Sequence, residues 1–172
     1  MANWFHEVAR AHGTFAVELV DLASFALPVF DEPRHPRFQQ YEKPHTRAWS
    51  AKVSRADAFV FVTPEYNFCP PPSFVNALDY LYVEWNYKPC GFVSYGGGSG
   101  GLRAVQVEKQ LVTTLKMMPM AEGVAIPSVA KRFDGNGVFQ PDDHLAKAAH
   151  TLLDELHRWA RALAPMRAPA KS

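Results

Sequence analysis

Two short stretches combine residue types suited to a flat or anionic ligand. In Thr63-Pro64-Glu65-Tyr66-Asn67, Pro64 fixes one turn, and the next three residues offer an acceptor, a planar ring and an amide donor. Such a set suits a planar heterocycle. The alternative is an ordinary turn with a half-buried tyrosine. In Gly96-Gly97-Gly98-Ser99-Gly100-Gly101, five of six residues are glycine. Backbone N–H groups there can approach a flat or anionic ligand without side-chain obstruction, just ahead of a helix N-terminus. A flexible connection is the plainer reading, but a glycine run costs backbone entropy that a mere link has no reason to carry. Gly96, Gly98 and Gly101 also satisfy G-x-G-x-x-G. That fingerprint normally opens a fold and is followed by an acid ending the next strand, whereas here it follows a late strand and Glu122 would begin one, so a dinucleotide fingerprint is rejected. No G-x-x-x-x-G-K-[ST] is present.

The elements that must position these stretches follow from the hydrophobic period. Trp4, Phe5, Val8, Ala9 and His12 share one side of a helix that Gly13 ends, and Thr14 to Val20 alternates as a strand. Pro28, Pro33, Pro36 and Pro44 keep the next stretch open as a loop, and Ala48 to Ala56 suits a short amphipathic helix. Ala58 to Thr63 and Cys90 to Tyr95 are apolar runs rich in β-formers, as buried parallel strands require. Between them, Pro70 to Pro72 lead into a helix bearing Phe74, Ala77, Leu78 and Leu81. The glycine run opens a helix to about Met118, Met120 to Ile126 is a further strand, and Asp142 and Asp143 begin a long helix. The order α-β-α-β-α-β-α-β-α predicts an α/β fold with a parallel sheet covered on both faces. Ligands of such sheets sit beyond the carboxyl ends of the strands, which is where both stretches fall.

Composition narrows the classes. The 172 residues make one domain, and Lys+Arg 18 against Asp+Glu 17 leaves a net charge of +1. Nucleic acid is an unsuitable partner for so neutral a chain. With 48% hydrophobic and 20% charged residues the chain is globular, and no apolar run approaches the ~18 residues of a membrane span. No basic segment followed by an apolar block opens the sequence, and two cysteines make no disulfide framework, so a cytoplasmic location with no membrane partner is expected.

The runs ADAFVFVTPEYN (56–67), FVNALDYL (74–81), YGGGSGGLRA (95–104) and MMPMAEGVAIP (117–127), in that order and spacing, resemble the NADPH-dependent FMN reductase family. These are flavodoxin-like proteins that include quinone, chromate and azo-dye reductases, and the resemblance covers most of the chain. It implies a flavodoxin-like three-layer sandwich over residues 1–164, with a frayed tail at 165–172. It implies FMN as cofactor, NADPH or NADH as hydride source, and a quinone or similar small molecule as electron acceptor. By resemblance, Thr63, Pro64, Glu65, Tyr66 and Asn67 hold the flavin ring, and Tyr95, Gly96, Gly97, Gly98, Ser99 and Gly100 line its pyrimidine side. No side chain need act as acid or base, so no catalytic residue is assigned. The helix from Phe74 is similar to one that helps form the family's homodimer or homotetramer, and Tyr80, Tyr82, Trp85 and Tyr87 suit either an interface or a core.

The sequence departs from the family at its start. The family begins with a strand and a Ser/Thr-x-Arg-x-x-Ser loop around the FMN phosphate, and neither is among these residues. The sheet is therefore expected to lack its first, central strand, which would leave Thr14 to Val20 as an edge strand without its partner. Weak FMN binding, or a non-catalytic short form acting in oligomerisation, is the alternative function. A flavodoxin-type electron carrier is another, which the near-neutral charge disfavours. Arg34, His35 and Arg37 in the proline-rich loop could meet a nucleotide phosphate. Cys69 and Cys90 are expected as free thiols, and the seven histidines show no close metal spacing, so no metal is expected.

Overall fold

Three apolar runs form the sheet. β1 (Phe59–Pro64), β2 (Pro89–Tyr95) and β3 (Met118–Ile126) lie parallel in the order β1-β2-β3. The register sets Pro64 opposite Tyr95 and Tyr95 opposite Ile126, so all three strands end level and the loops that follow them meet at one edge. The computed structural model describes residues 1–167.

Five helices cover the sheet: α1 (Ala2–His12), α2 (Pro44–Ser54), α3 (Pro72–Asp79), α4 (Leu102–Thr114) and α5 (Asp143–Arg167). Successive side chains of a strand point to opposite faces, and β2 shows it. Phe92 joins Trp49 and Val53 of α2, Phe74 and Leu78 of α3, and Val105 and Val112 of α4. Val93 joins Phe5 and Ala9 of α1 with Leu145 and Leu152 of α5. The result is the expected three-layer α/β sandwich. The helix ends follow local chemistry: Gly13 at φ 78 stops α1, Pro72 sits in the first turn of α3, and Asp142 accepts the Leu145 N–H at 2.9 Å where α5 begins. Gly91 lets α5 close on the sheet, since a Cβ there would stand 2.5 Å from Leu152 Cδ1.

Three expectations are corrected. Thr14 to Val20 is not a strand: Phe15 and Val17 pack on the α1/α5 cluster and Glu18 pairs with Lys52, but among the described residues no strand lies alongside. An extended segment becomes a strand only by exchanging backbone hydrogen bonds. The glycine run does not open α4, which starts at Leu102 and ends at Thr114, so that Met118 belongs to β3. The tail does not fray at residue 165: α5 continues through Pro165 to Arg167, whose guanidinium donates to the Asp57 carboxylate (2.8 Å) and the Tyr87 carbonyl (3.3 Å). Residues 168–172, the rest of that expected tail, lie outside the described residues. Of the two readings left open for the aromatics, Tyr80 and Trp85 take the core one, 0% and 1% exposed, and their polar tips are engaged inside the fold. Of the aromatics considered for an interface, only Tyr82 and Tyr87 reach the surface in part.

The proline-rich loop is tied down. The Asn76 amide and Tyr80 hydroxyl of the α3 region donate to the Pro28 carbonyl, and Glu32 accepts the N–H groups of Glu42 and Lys43 at 2.9 Å. The Tyr41 hydroxyl donates to buried Glu84 at 2.9 Å. Arg34 bonds Gln40, the His35 ring accepts the Arg37 N–H, and the Arg37 guanidinium lies over the Phe38 ring.

Candidate flavin site

The level strand ends bring the two stretches together. Thr63 and Pro64 end β1, and the pairing runs one residue past the strand, with the Glu65 N–H donating to the Tyr95 carbonyl at 3.1 Å. The chain then turns back on itself: Tyr66 and Cys69 exchange backbone hydrogen bonds of 2.9 Å each, with Asn67 (φ 51) and Phe68 (φ 69) between them. Two left-handed residues in a row define a tight turn normally built from asparagine and glycine. Asn67 suits it. Phe68 does not, at a cost of about 1–2 kcal/mol, and the Arg103 guanidinium over its ring at 3.7 Å helps hold it there.

The glycine run is braced from β3. Gly96 donates to the Ile126 carbonyl, and Ser128 and Val129 donate to the carbonyls of Gly97 and Gly96. Ser94 Oγ donates to the Gly100 carbonyl at 2.8 Å. Gly101 holds φ 86, and a Cβ there would stand 2.8 Å from both the Tyr95 nitrogen and Ser94 Cβ. Gly101→Ala is therefore expected to destabilise the fold by roughly 2–4 kcal/mol, read by urea unfolding.

Gly97 and Gly98 are another matter. Both are exposed, neither holds a positive φ, and a Cβ at either would meet nothing within 4 Å. Crowding within the chain does not require glycine here. Their N–H groups and that of Ser99 take no partner among the described residues, nor do those of Asn67 and Phe68. Unhindered donors of this kind beside an exposed tyrosine fit a flavin ring with carbonyl oxygens along one side.

Glu65 joins the two stretches. Its carboxylate accepts Ser99 Oγ at 2.9 Å, the Arg103 N–H at 3.1 Å and Arg103 Nε at 2.7 Å. Arg103 first, then Ser99, holds the carboxyl below its ordinary range, so Glu65 stays ionised at the N-terminus of α4. The acceptor noticed in the sequence thus ties the site together instead of facing outward. Tyr66 and Asn67 are exposed, Tyr95, Gly96 and Ser99 are partly exposed, and Thr63 and Gly100 lie beneath.

Three residues at this site escaped the sequence reading: Phe68, Arg103 and Glu108. Arg103 stood within a quoted motif, but its ring partner is 35 positions away in the other loop. Glu108 left a signal, since an acid occupies the stripe of Ala104, Val105 and Val112 that α4 turns to the core. Of the cysteines, Cys69 is exposed at the turn and Cys90 is buried.

Residues 1–131 match the model of the NADPH-dependent FMN reductase family. A Schizosaccharomyces pombe protein named NAD(P)H-dependent FMN reductase C4B3.06c is 45% identical over 119 residues, covering 68% of this chain and 59% of that protein. A Pseudomonas putida quinone reductase is 29% identical over 170 residues, 92% of this chain and 88% of its own. The chain thus spans about three fifths of the S. pombe relative's length but most of the quinone reductase's. The solved structure of FerB, a flavoenzyme NAD(P)H:(acceptor) oxidoreductase from Paracoccus denitrificans, superposes with a TM-score of 0.70 at 19% identity, covering 94% of this chain and 90% of that one. The flavodoxin-like fold is common to both.

Proposed function

The chain belongs to the NADPH-dependent FMN reductase family, and from that membership we propose that it is an NAD(P)H-dependent oxidoreductase using FMN and delivering electrons to a quinone or similar small acceptor. The observation that carries this reading is the set of unengaged N–H groups on Gly97, Gly98 and Ser99 beside exposed Tyr66. When bound, the flavin supplies the redox chemistry, accepting hydride from nicotinamide and releasing electrons to the acceptor.

The residues of the chain bind and orient. The three N–H groups are donors for the pyrimidine side of the ring, where they favour added electron density. The Glu65 tie keeps them at a fixed distance from the Tyr66 turn. Glu65 is fully hydrogen-bonded and ionised, so it is no proton donor, and no other side chain is assigned an acid or base role. Steady-state NADPH oxidation with added FMN and a quinone tests the reading. Turnover that requires both additions supports it, and NADPH left unoxidised by the FMN-loaded protein overturns it.

A cytoplasmic homodimer or homotetramer is part of the same reading. Exposed Phe38 and Val83 flank Tyr82, with the His35 ring 6.4 Å from both Phe38 and Tyr82, an aromatic group suited to an interface. Among the described residues no helix is long and apolar enough to cross a membrane. Light scattering at micromolar concentration distinguishes monomer from assembly.

The Ser/Thr-x-Arg-x-x-Ser pattern of the phosphate loop is not among the 172 residues. This chain by itself is therefore expected to bind the ring more than the phosphate. FMN and riboflavin should quench with dissociation constants within about threefold of each other, roughly micromolar or weaker. Nanomolar FMN affinity in the 172-residue chain would falsify that expectation.

A further inference from the structure

Glu108 is the group that the proposed mechanism leaves unused. It sits on the inner face of α4, 0% exposed, one turn from Ala104 and one from Val112. Oε1 accepts the Thr63 hydroxyl at 2.5 Å, and Oε2 has no partner among the described residues. Thr63 is the penultimate residue of β1, one position before Pro64 leads into the Glu65 to Cys69 turn. A fully buried carboxyl with one bare oxygen is costly as a charge and tolerable as a neutral acid. Burial pushes it up to about 7, with the Thr63 hydrogen bond opposing.

The surroundings supply nothing to neutralise it. β1 offers the Thr63 hydroxyl, and β2 offers the Cys90 thiol, which burial keeps protonated. Lys109 is adjacent on α4, yet no lysine or arginine forms an ion pair with Glu108, and the charged residues of the site, Glu65 and Arg103, are engaged with each other.

We propose that Glu108 is a positioning residue for the flavin loop, holding Thr63 through a hydrogen bond whose surroundings tighten or loosen as the carboxyl gains or loses a proton. With the proton on, the α4–β1 contact is neutral and the backbone from Pro64 to Cys69 is held as described. With the proton off, the bare oxygen draws water toward the contact between helix and strand, and the loop is freed at its root. The ligand loses a fixed partner in Tyr66 while the glycine run, braced from β3, stays in place. The inference rests on the flavin reading for its consequence in binding, but not for the motion of the loop.

The test separates those two. Amide hydrogen exchange is followed in the ligand-free chain at Glu65, Tyr66 and Cys69, whose N–H groups bond Tyr95 and each other. After correction for intrinsic rates, protection at these amides should fall roughly three- to tenfold from pH 6 to pH 8, while Gly96 and Val129 do not change. Glu108→Gln should remove the pH dependence. Thr63→Val should remove it too while leaving Glu108 titrating, an outcome that a merely structural carboxyl does not produce. Flat protection in the wild-type chain, or an unchanged pH profile in Glu108→Gln, overturns the proposal. FMN titrations across the same pH range form the second arm. If exchange follows pH and FMN affinity does not, Glu108 governs the loop but the flavin reading of Tyr66 to Asn67 fails. If both follow pH, the two stand together.

Discussion

Glu65→Ala is expected to abolish most flavin binding while leaving a folded protein. Three donors converge on this one carboxylate, and two of them, Ser99 Oγ and the Arg103 N–H, belong to the glycine run and the first turn of α4. Removing it leaves the Arg103 guanidinium without its ion pair beside the Phe68 ring, and leaves the Arg103 N–H in the first turn of α4 without an acceptor. The two loops then lose their hydrogen-bonded tie, and a ligand that must touch both has to order them itself. FMN affinity, read by quenching of flavin fluorescence, should drop about thirtyfold or more. The sandwich core lies away from Glu65, so the urea midpoint should move far less. Affinity within about threefold of wild type would show that the loops do not act as a pair. The sign of the pH effect follows from the lowered carboxyl. Its contribution is present above the unfolded value near 4.5 and is lost only as pH falls through the lower folded one. Between pH 6 and 9 the tie is constant, so any change of flavin affinity in that range comes from another group.

What could be read from the sequence was whatever depends on neighbours along the chain. AFVFVT and CGFVSY are strands in the structure because a continuous apolar run demands burial on both faces, whatever lies beside it. TFAVELV has equally good alternation and is not a strand, since pairing is decided by a neighbour that the sequence of the segment does not encode. The aromatics of residues 80–87 show the same limit: composition suits core or interface alike, and Tyr80 and Trp85 fall inside because α2 and the strand Phe59–Pro64 supply Trp49, Phe59 and Phe61 around them. At the site, the presence of Glu65 was legible but its role was not. Ser99 and Arg103 lie 34 and 38 positions away, and only the level ends of the strands bring them within reach. Glu108 was visible as an acid on an apolar stripe, the kind of local inconsistency that marks functional or strained positions.

Glu108 should also leave a signature in global stability. A carboxyl raised from 4.5 to about 7 on folding binds more protons in the native state than in the unfolded one across that interval. Stability contributed by this group is therefore full below about 4.5, falls as pH rises to about 7, and is level beyond. At about 1.4 kcal/mol per pH unit the loss is about 3 kcal/mol. Other carboxyls oppose it: Asp31, Glu32, Glu65 and Asp142 are all lowered on folding, and each adds stability as pH rises through the acid range. Lys88, buried against the α2 carbonyls and lowered to about 8, acts at higher pH, where its deprotonation favours the folded state. The wild-type profile is thus a sum of opposite slopes, and the informative quantity is its difference from a variant lacking only Glu108. Glu108→Gln keeps the shape and an acceptor for Thr63 but cannot ionise. Measured by urea unfolding, the wild-type chain should lose about 3 kcal/mol relative to Glu108→Gln between pH 4.5 and pH 7.5, with no further divergence to pH 8. Parallel profiles would mean that the carboxyl ionises in the folded chain near its ordinary value, and divergence continuing beyond pH 7.5 would mean that it stays protonated throughout.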